Sequence, residues 1–163
     1  MRAVAHRLFS TVQSEICEAL AELDGARSFS IQEWERPAEG GGYGGGGVTR
    51  VLKQGDLFEQ AGVNFSAVEG TLPETMVRKL LGRPDTAPFF ATGISLVLHP
   101  RSPMVPTTHA NFRYLEVADE KWFGGGADLT PYALFEEDGE HFHRSLKEPC
   151  DRFDPSFFPC FKR

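Results

Sequence analysis

Gly93–Thr130 reads GISLVLHPRSPMVPTTHANFRYLEVADEKWFGGGADLT, and this stretch decides how the rest of the chain is understood. Two segments in it, Ile94–His99 and Ala110–Val117, have the pattern of half-buried strands, and PRSPMVPTT joins them as a loop. Residues two apart in a strand share a face, so His109, Asn111 and Arg113 project together, while the earlier strand carries His99. The run Gly124-Gly125-Gly126 reads as a turn that delivers Asp128. An imidazole passes protons near neutral pH, and a guanidinium beside an amide holds a carboxylate through paired hydrogen bonds. The face therefore suits a carboxylate-bearing ligand. A merely exposed polar strand face has the same pattern, and periodicity alone divides evenly between the two.

Glycines let a backbone approach a ligand closely, so Asp128 on the rim of such a turn can meet a cationic or N–H-bearing group. It can equally cap the helix that Pro131 opens, in competition with Thr130, and spacing alone favours the cap. That helix has acids early (Glu136, Glu137, Asp138) and cations later (Arg144, Lys147), as the helix dipole prefers.

Outward from this core, Val4, Leu8, Val12, Ile16, Ala19, Leu20 and Leu23 recur at helical spacing, and Asp24-Gly25 supplies the stop. Phe29, Ile31 and Trp34 mark an extended segment ending at Pro37. Gly40–Gly47 is mostly glycine and reads as a mobile hairpin tip or lid. Val48–Lys53 and Phe58–Ser66, continuing to Val68, are strands; Pro73–Leu81 is a short helix, and the following RPDTAPFFA is a loop. The last stretch, DRFDPSFFPCFKR, has no tidy period. Strands at hairpin-like spacing with helices around them predict an α+β fold, a mostly antiparallel sheet flanked by α-helices.

The chain has 163 residues, which fits one domain with room for a core. It is 40% hydrophobic and contains 14 phenylalanines, a composition that argues against disorder. A net charge of −6 argues against nucleic acid or an anionic membrane surface as the main partner, so an anionic ligand needs local cations such as Arg101 and Arg113. Cys17, Cys150 and Cys160 are odd in number and lack metal-ligand spacing; they read as reduced thiols in a cytosol-like compartment. No apolar run reaches transmembrane length. The opening MRAVAHRLFSTVQ has the composition of a mitochondrial transit peptide, but it runs unbroken into SEICEALAELDG, which favours a first amphipathic helix.

His141 and His143 stand two apart on a helix and point to different sides, unlike the i, i+4 pair of a zinc helix. A divalent-metal site across space with His99 and His109 stays open, and for any single histidine a structural role is the commoner outcome. YGGGGV lacks the Lys-Ser/Thr ending of a phosphate loop. No Gly-x-Ser-x-Gly elbow occurs and no cysteine has a placed basic partner, which disfavours nucleophilic catalysis.

Four strings, WERPAEGGGYGGGGVTRVL, VNFSAVEG, GISLVLHPRSPMVPTTHANFRYLEV and WFGGGADLTPYALFEEDGEHFHRSLKEPCD, closely resemble the oxygen-dependent coproporphyrinogen III oxidase family, in register from about Ile16 onward. The resemblance implies an enzyme of haem biosynthesis that oxidatively decarboxylates the ring A and B propionates of coproporphyrinogen III to vinyl groups, giving protoporphyrinogen IX. It implies molecular oxygen as co-substrate, no organic cofactor, and a homodimeric sheet sandwiched between helices. By the same resemblance His109 is the proton donor, Ser95, Asn111, Phe112 and Arg113 bind substrate, and Asp128 engages the pyrrole N–H groups. His99, His109 and His143 match positions assigned to a divalent metal in some bacterial members, while other members are regarded as metal-free. The aromatic faces of Phe112, Trp122 and Phe123 either line a flat pocket or pack in the core, the second being favoured. The family's pattern continues past SFFPCFKR, so residues 1–163 are expected to form a single partial domain holding roughly its first half. The alternative reading is an inactive fragment that only binds tetrapyrrole or metal.

Overall fold

The computed structural model describes residues 1–37 and 44–162. Helix α1 (Arg2–Asp24) is followed by strands β1 (Ser30–Arg36), β2 (Gly44–Lys53) and β3 (Phe58–Leu72), then helix α2 (Glu74–Leu81). Strands β4 (Ala87–Pro100), β5 (Thr107–Val117) and β6 (Glu120–Thr130) precede helices α3 (Glu136–Phe153) and α4 (Phe157–Phe161). The strands form one antiparallel meander in the order β1-β2-β3-β4-β5-β6. The expected α+β class is the one observed.

Alternation gives this sheet two unlike faces. On one, α1 lays Ala5 and Phe9 onto Phe65, Ile94 and Tyr114. The buried line of α1 is Ala5, Phe9, Gln13 and Cys17, one residue on from the apolar stripe of the sequence, and Val4, Leu8 and Leu23 stay exposed. Gln13 explains the rotation. Its Nε2 donates to the carbonyls of Val48 at 2.8 Å and Val63 at 2.9 Å, so the buried amide is satisfied by the sheet backbone. Gly25 closes α1 in the left-handed conformation (φ 72°), a region open to glycine at little steric cost. Asp24 accepts N–H bonds from Asp56, Leu57 and Phe58, and the Phe58 bond above all lowers its carboxyl pKa.

On the other face α2 covers only one end, where Val77 and Leu81 pack on Leu72, Ala87, Phe89, Val117 and Trp122. Several expectations need correction here. The proline-rich loop ends at Thr86, because Ala87–Ala91 pair with Val68–Leu72 as the start of β4, with Pro88 near the strand's first residue, where proline is tolerated. Gly44–Gly47 pair with Ser66–Glu69 inside β2 rather than forming a tip; Gly40–Tyr43 lie outside the described residues. Pro131 does not open α3, which starts at Glu136 with its acids in the first turn. The aperiodic tail continues α3 to Phe153 and adds α4, in which Phe157 stacks between Phe153 and Phe161.

Candidate active site

The open face gathers most of the predicted residues. The ladder places Asn111 opposite Ser95 and Arg113 opposite Gly93, and on the far side His109 opposite Asp128. All five polar side chains therefore stand on the face away from α1. His109 Nδ1 lies 3.1 Å from Asp128 Oδ2, a cross-strand pair in which the carboxylate fixes the imidazole's orientation. Both remain open to solvent, with side-chain exposures of 41% and 60%. Arg113 is four residues from His109 along β5, a separation of roughly 13 Å at the rise of an extended strand. One face thus holds a proton-carrying pair and a carboxylate-binding cation far enough apart to address two parts of one broad ligand.

The triple glycine is not a turn. Gly124, Gly125 and Gly126 pair with Arg113, Phe112 and Asn111 in the middle of β6. With no helix starting nearby, Asp128 caps nothing; the end of β6 presents it instead. Gly124 and Gly126 face the open side, where a Cβ would meet nothing closer than 3.9 Å. They leave a floor without side chains beside Asn111 and Arg113. Gly93 serves differently: a Cβ there would lie 2.3 Å from the Phe112 carbonyl oxygen and 2.8 Å from Arg113 Cγ, so its absence lets the Arg113 stem cross the sheet. A shallow depression of about 250 Å³ results, with Asn64, Ser66, Gly93, Ser95 and Arg113 in its lining. Asn64 and Ser66 carry no alternation signal strong enough to single them out in sequence; the ladder that sets Asn64 against Ser95 and Ser66 against Gly93 reveals them.

Other predicted residues fall elsewhere. Phe112 alternates to the α1 face, where it lines a hollow of about 350 Å³ with Ala127, Phe142, His143 and Cys150. His143 is therefore with Phe112, and its ring packs edge-on against Phe142 and Phe158. His99 is an exposed diagonal neighbour of His109 on β4. Among the described residues no three His, Cys, Asp or Glu side chains converge to hold a metal ion, so the set His99, His109 and His143 is not assembled. Trp122 packs under α2, and Phe123 lies on the α1 side, 5.0 Å from the Tyr114 ring. Arg101 does not join the polar face; its Nη1 donates to the Gly55 carbonyl at 3.0 Å and ties the β4–β5 loop to the β2–β3 turn.

Residues 4–163 match the family described as coproporphyrinogen III oxidase. The chain is 47% identical to the oxygen-dependent coproporphyrinogen-III oxidase of Drosophila melanogaster, an alignment covering 100% of this chain and 44% of that one. It is 48% identical to the protein of the same name from Prochlorococcus marinus, covering 99% and 45%, and 43% identical to the mitochondrial form of Mus musculus, covering 100% and 38%. The chain thus spans less than half the length of these curated relatives. Other relatives are named as chloroplastic, so the family works in more than one compartment. No described helix is long and apolar enough to cross a membrane. The site's placement on β4, β5 and β6 and the match over nearly every residue lead to one statement: this chain belongs to the coproporphyrinogen III oxidase family.

Proposed function

We propose that the open face binds coproporphyrinogen III and supports its oxygen-dependent oxidative decarboxylation, propionates on rings A and B becoming the vinyl groups of protoporphyrinogen IX. The observation that carries this reading is the shared face: Arg113 at one end, the His109–Asp128 pair at 3.1 Å about 13 Å away, and Asn111 and glycines between them. A flat macrocycle with carboxylate arms fits that surface. Arg113 binds one carboxylate and so orients the ring. Asp128 accepts N–H bonds from a pyrrole and stabilises the positive charge that develops there. Each vinyl group forms as the bond to the carboxylate breaks and carbon dioxide leaves. A hydrogen with its two electrons passes from the ring-side methylene to molecular oxygen, which also takes up a proton. His109, adjacent to the reacting ring, is the group that moves protons. A divalent metal finds no converging donor set among the described residues.

A second reading has its own observation. Asn64, Arg113, Gly124–Gly126 and Asp128 are all exposed, so nothing in the described chain excludes water from the face. On that reading the chain holds the tetrapyrrole without turning it over. The test supplies the purified chain with coproporphyrinogen III in air and follows protoporphyrin fluorescence against an oxygen-free control. Oxygen-dependent product is expected; binding without product selects the second reading. The free thiols Cys17, Cys150 and Cys160 fit a reducing compartment such as the cytosol, and exposed Tyr132, Leu134, Phe153 and Phe161 offer apolar area for the homodimer contact.

A further inference from the structure

Two rows of side chains cross the open face at right angles to the strands. One runs Asn64, Ser95, Asn111, Gly126 over β3 to β6, and the other runs Ser66, Gly93, Arg113, Gly124. Among the described residues, none of the side chains of Asn64, Ser66, Ser95, Asn111 and Arg113 hydrogen-bonds or ion-pairs with another. Arg2, Arg78, Arg83 and Arg101 each have a carboxylate or carbonyl partner. Asn64, Ser66, Ser95 and Arg113 meet around the depression that Gly93 opens, and Val68, Ala91 and Leu115 close its end toward α2.

We infer that Ser66, facing Arg113 across Gly93, and Asn64, next to it on the same face of β3, form a subsite for one carboxylate-tipped aliphatic arm, remote from the arm at His109, and so select for ligands that carry both. The inference rests on the tetrapyrrole reading above. A guanidinium uses two oxygens of a carboxylate in one plane and leaves lone pairs on the far side unfilled. Strands β3 and β5 stand about 10 Å apart, two interstrand spacings, so a carboxylate lying over Gly93 is within side-chain reach from both. A hydroxyl and an amide can donate to those lone pairs where a second cation would be redundant. The apolar end supplies contact for the methylenes that precede the carboxylate. Ligands lacking the remote carboxylate leave Arg113, Asn64 and Ser66 without a partner there and lose that binding term.

The test measures binding by the intact chain of coproporphyrin III, the oxidised tetracarboxylate, and of its tetramethyl ester, the same ring without a free carboxylate, by fluorescence titration. The parent chain is expected to favour the tetracarboxylate. The Asn64→Leu/Ser66→Ala double variant is expected to lose about tenfold in affinity for it, with binding of the ester changed less than twofold. Asn64→Asp, isosteric and on an exposed strand position, guards against misfolding of the double variant. Its added negative charge is expected to weaken tetracarboxylate binding at least as much. If these variants bind coproporphyrin III like the parent while Arg113→Ala does not, the subsite is overturned and the tetrapyrrole reading stands. If the parent binds neither porphyrin, the reading falls and takes the subsite with it.

Discussion

On the α1 side of the sheet, two buried polar side chains are answered from within the fold, Gln13 by two backbone carbonyls and Glu116 by Tyr114 Oη and Arg2 Nε at 2.6 Å each, while Arg50 bonds Ser14 through Nη2 and leaves its Nε without a partner among the described residues. On the open side Asn64, Ser95, Asn111 and Arg113 are left unanswered by any described residue, and glycines lie between them. The same strands, residue by alternate residue, therefore carry two kinds of information. Internal satisfaction marks polar groups that hold the structure together, whereas convergent unsatisfied groups on a side-chain-poor floor mark a binding surface.

This contrast can be broken by substitutions that should affect one side and spare the other. The largest effect is expected for Gln13→Ala, which removes two amide-to-carbonyl hydrogen bonds and leaves a void: stability should fall by about 2–4 kcal/mol in denaturant unfolding. Loss of less than 0.5 kcal/mol would show that the amide is not part of the core. Arg113→Ala should do the reverse, costing roughly 10- to 100-fold in affinity for coproporphyrin III while moving the unfolding midpoint hardly at all. A comparable loss of stability would place Arg113 with the structural residues. Gly126→Val sharpens the contrast further. A Cβ there meets nothing within 4 Å and valine suits a strand, so stability should hold or rise by about 0.5–1 kcal/mol. Ligand affinity should drop about tenfold, because the side chain occupies the floor beside Asn111. Unchanged affinity would remove the glycine floor from the site.

The smallest effects concern pH, and they belong to the α1 side. Tyr114 bonding, then Arg2, lowers the Glu116 pKa, and the Phe58 N–H lowers that of Asp24. A carboxyl depressed in the folded state contributes stability above its ordinary range and loses it as pH falls through the folded value. Thermal stability should therefore decline in acid, and Asp24→Asn with Glu116→Gln should flatten that limb. Burial, then Glu116, pushes the Tyr114 phenol up to about 12. Its stabilisation is complete below the ordinary phenol range and is lost as pH rises from there toward the folded value. Tyr114→Phe should abolish that alkaline limb, and a limb unchanged in the variant would assign it to another group.

Much of the architecture was legible because period-2 and period-3.6 patterns survive wherever one face is buried. The first helix, the strands around HANFR and the partnership of His109, Asn111 and Arg113 all follow from that. The errors share a cause. Glycine and proline read locally as breaks, yet Gly124–Gly126, Gly44–Gly47 and Pro88 lie in strands whose neighbours supply the pairing that local propensity lacks. The α1 stripe was misplaced by one residue because a buried glutamine looks polar until its carbonyl partners are known.

By itself, the order of residues determined the periodic elements, the residues that share a strand face and the family to which the chain belongs, since these depend on local periodicity and on long specific strings. The pairing of His109 with Asp128, the entry of Asn64 and Ser66 into the site, and the placing of Phe112 with His143 were decided only by the tertiary structure. Each depends on strand register, and register is a relation between distant segments that no single segment encodes.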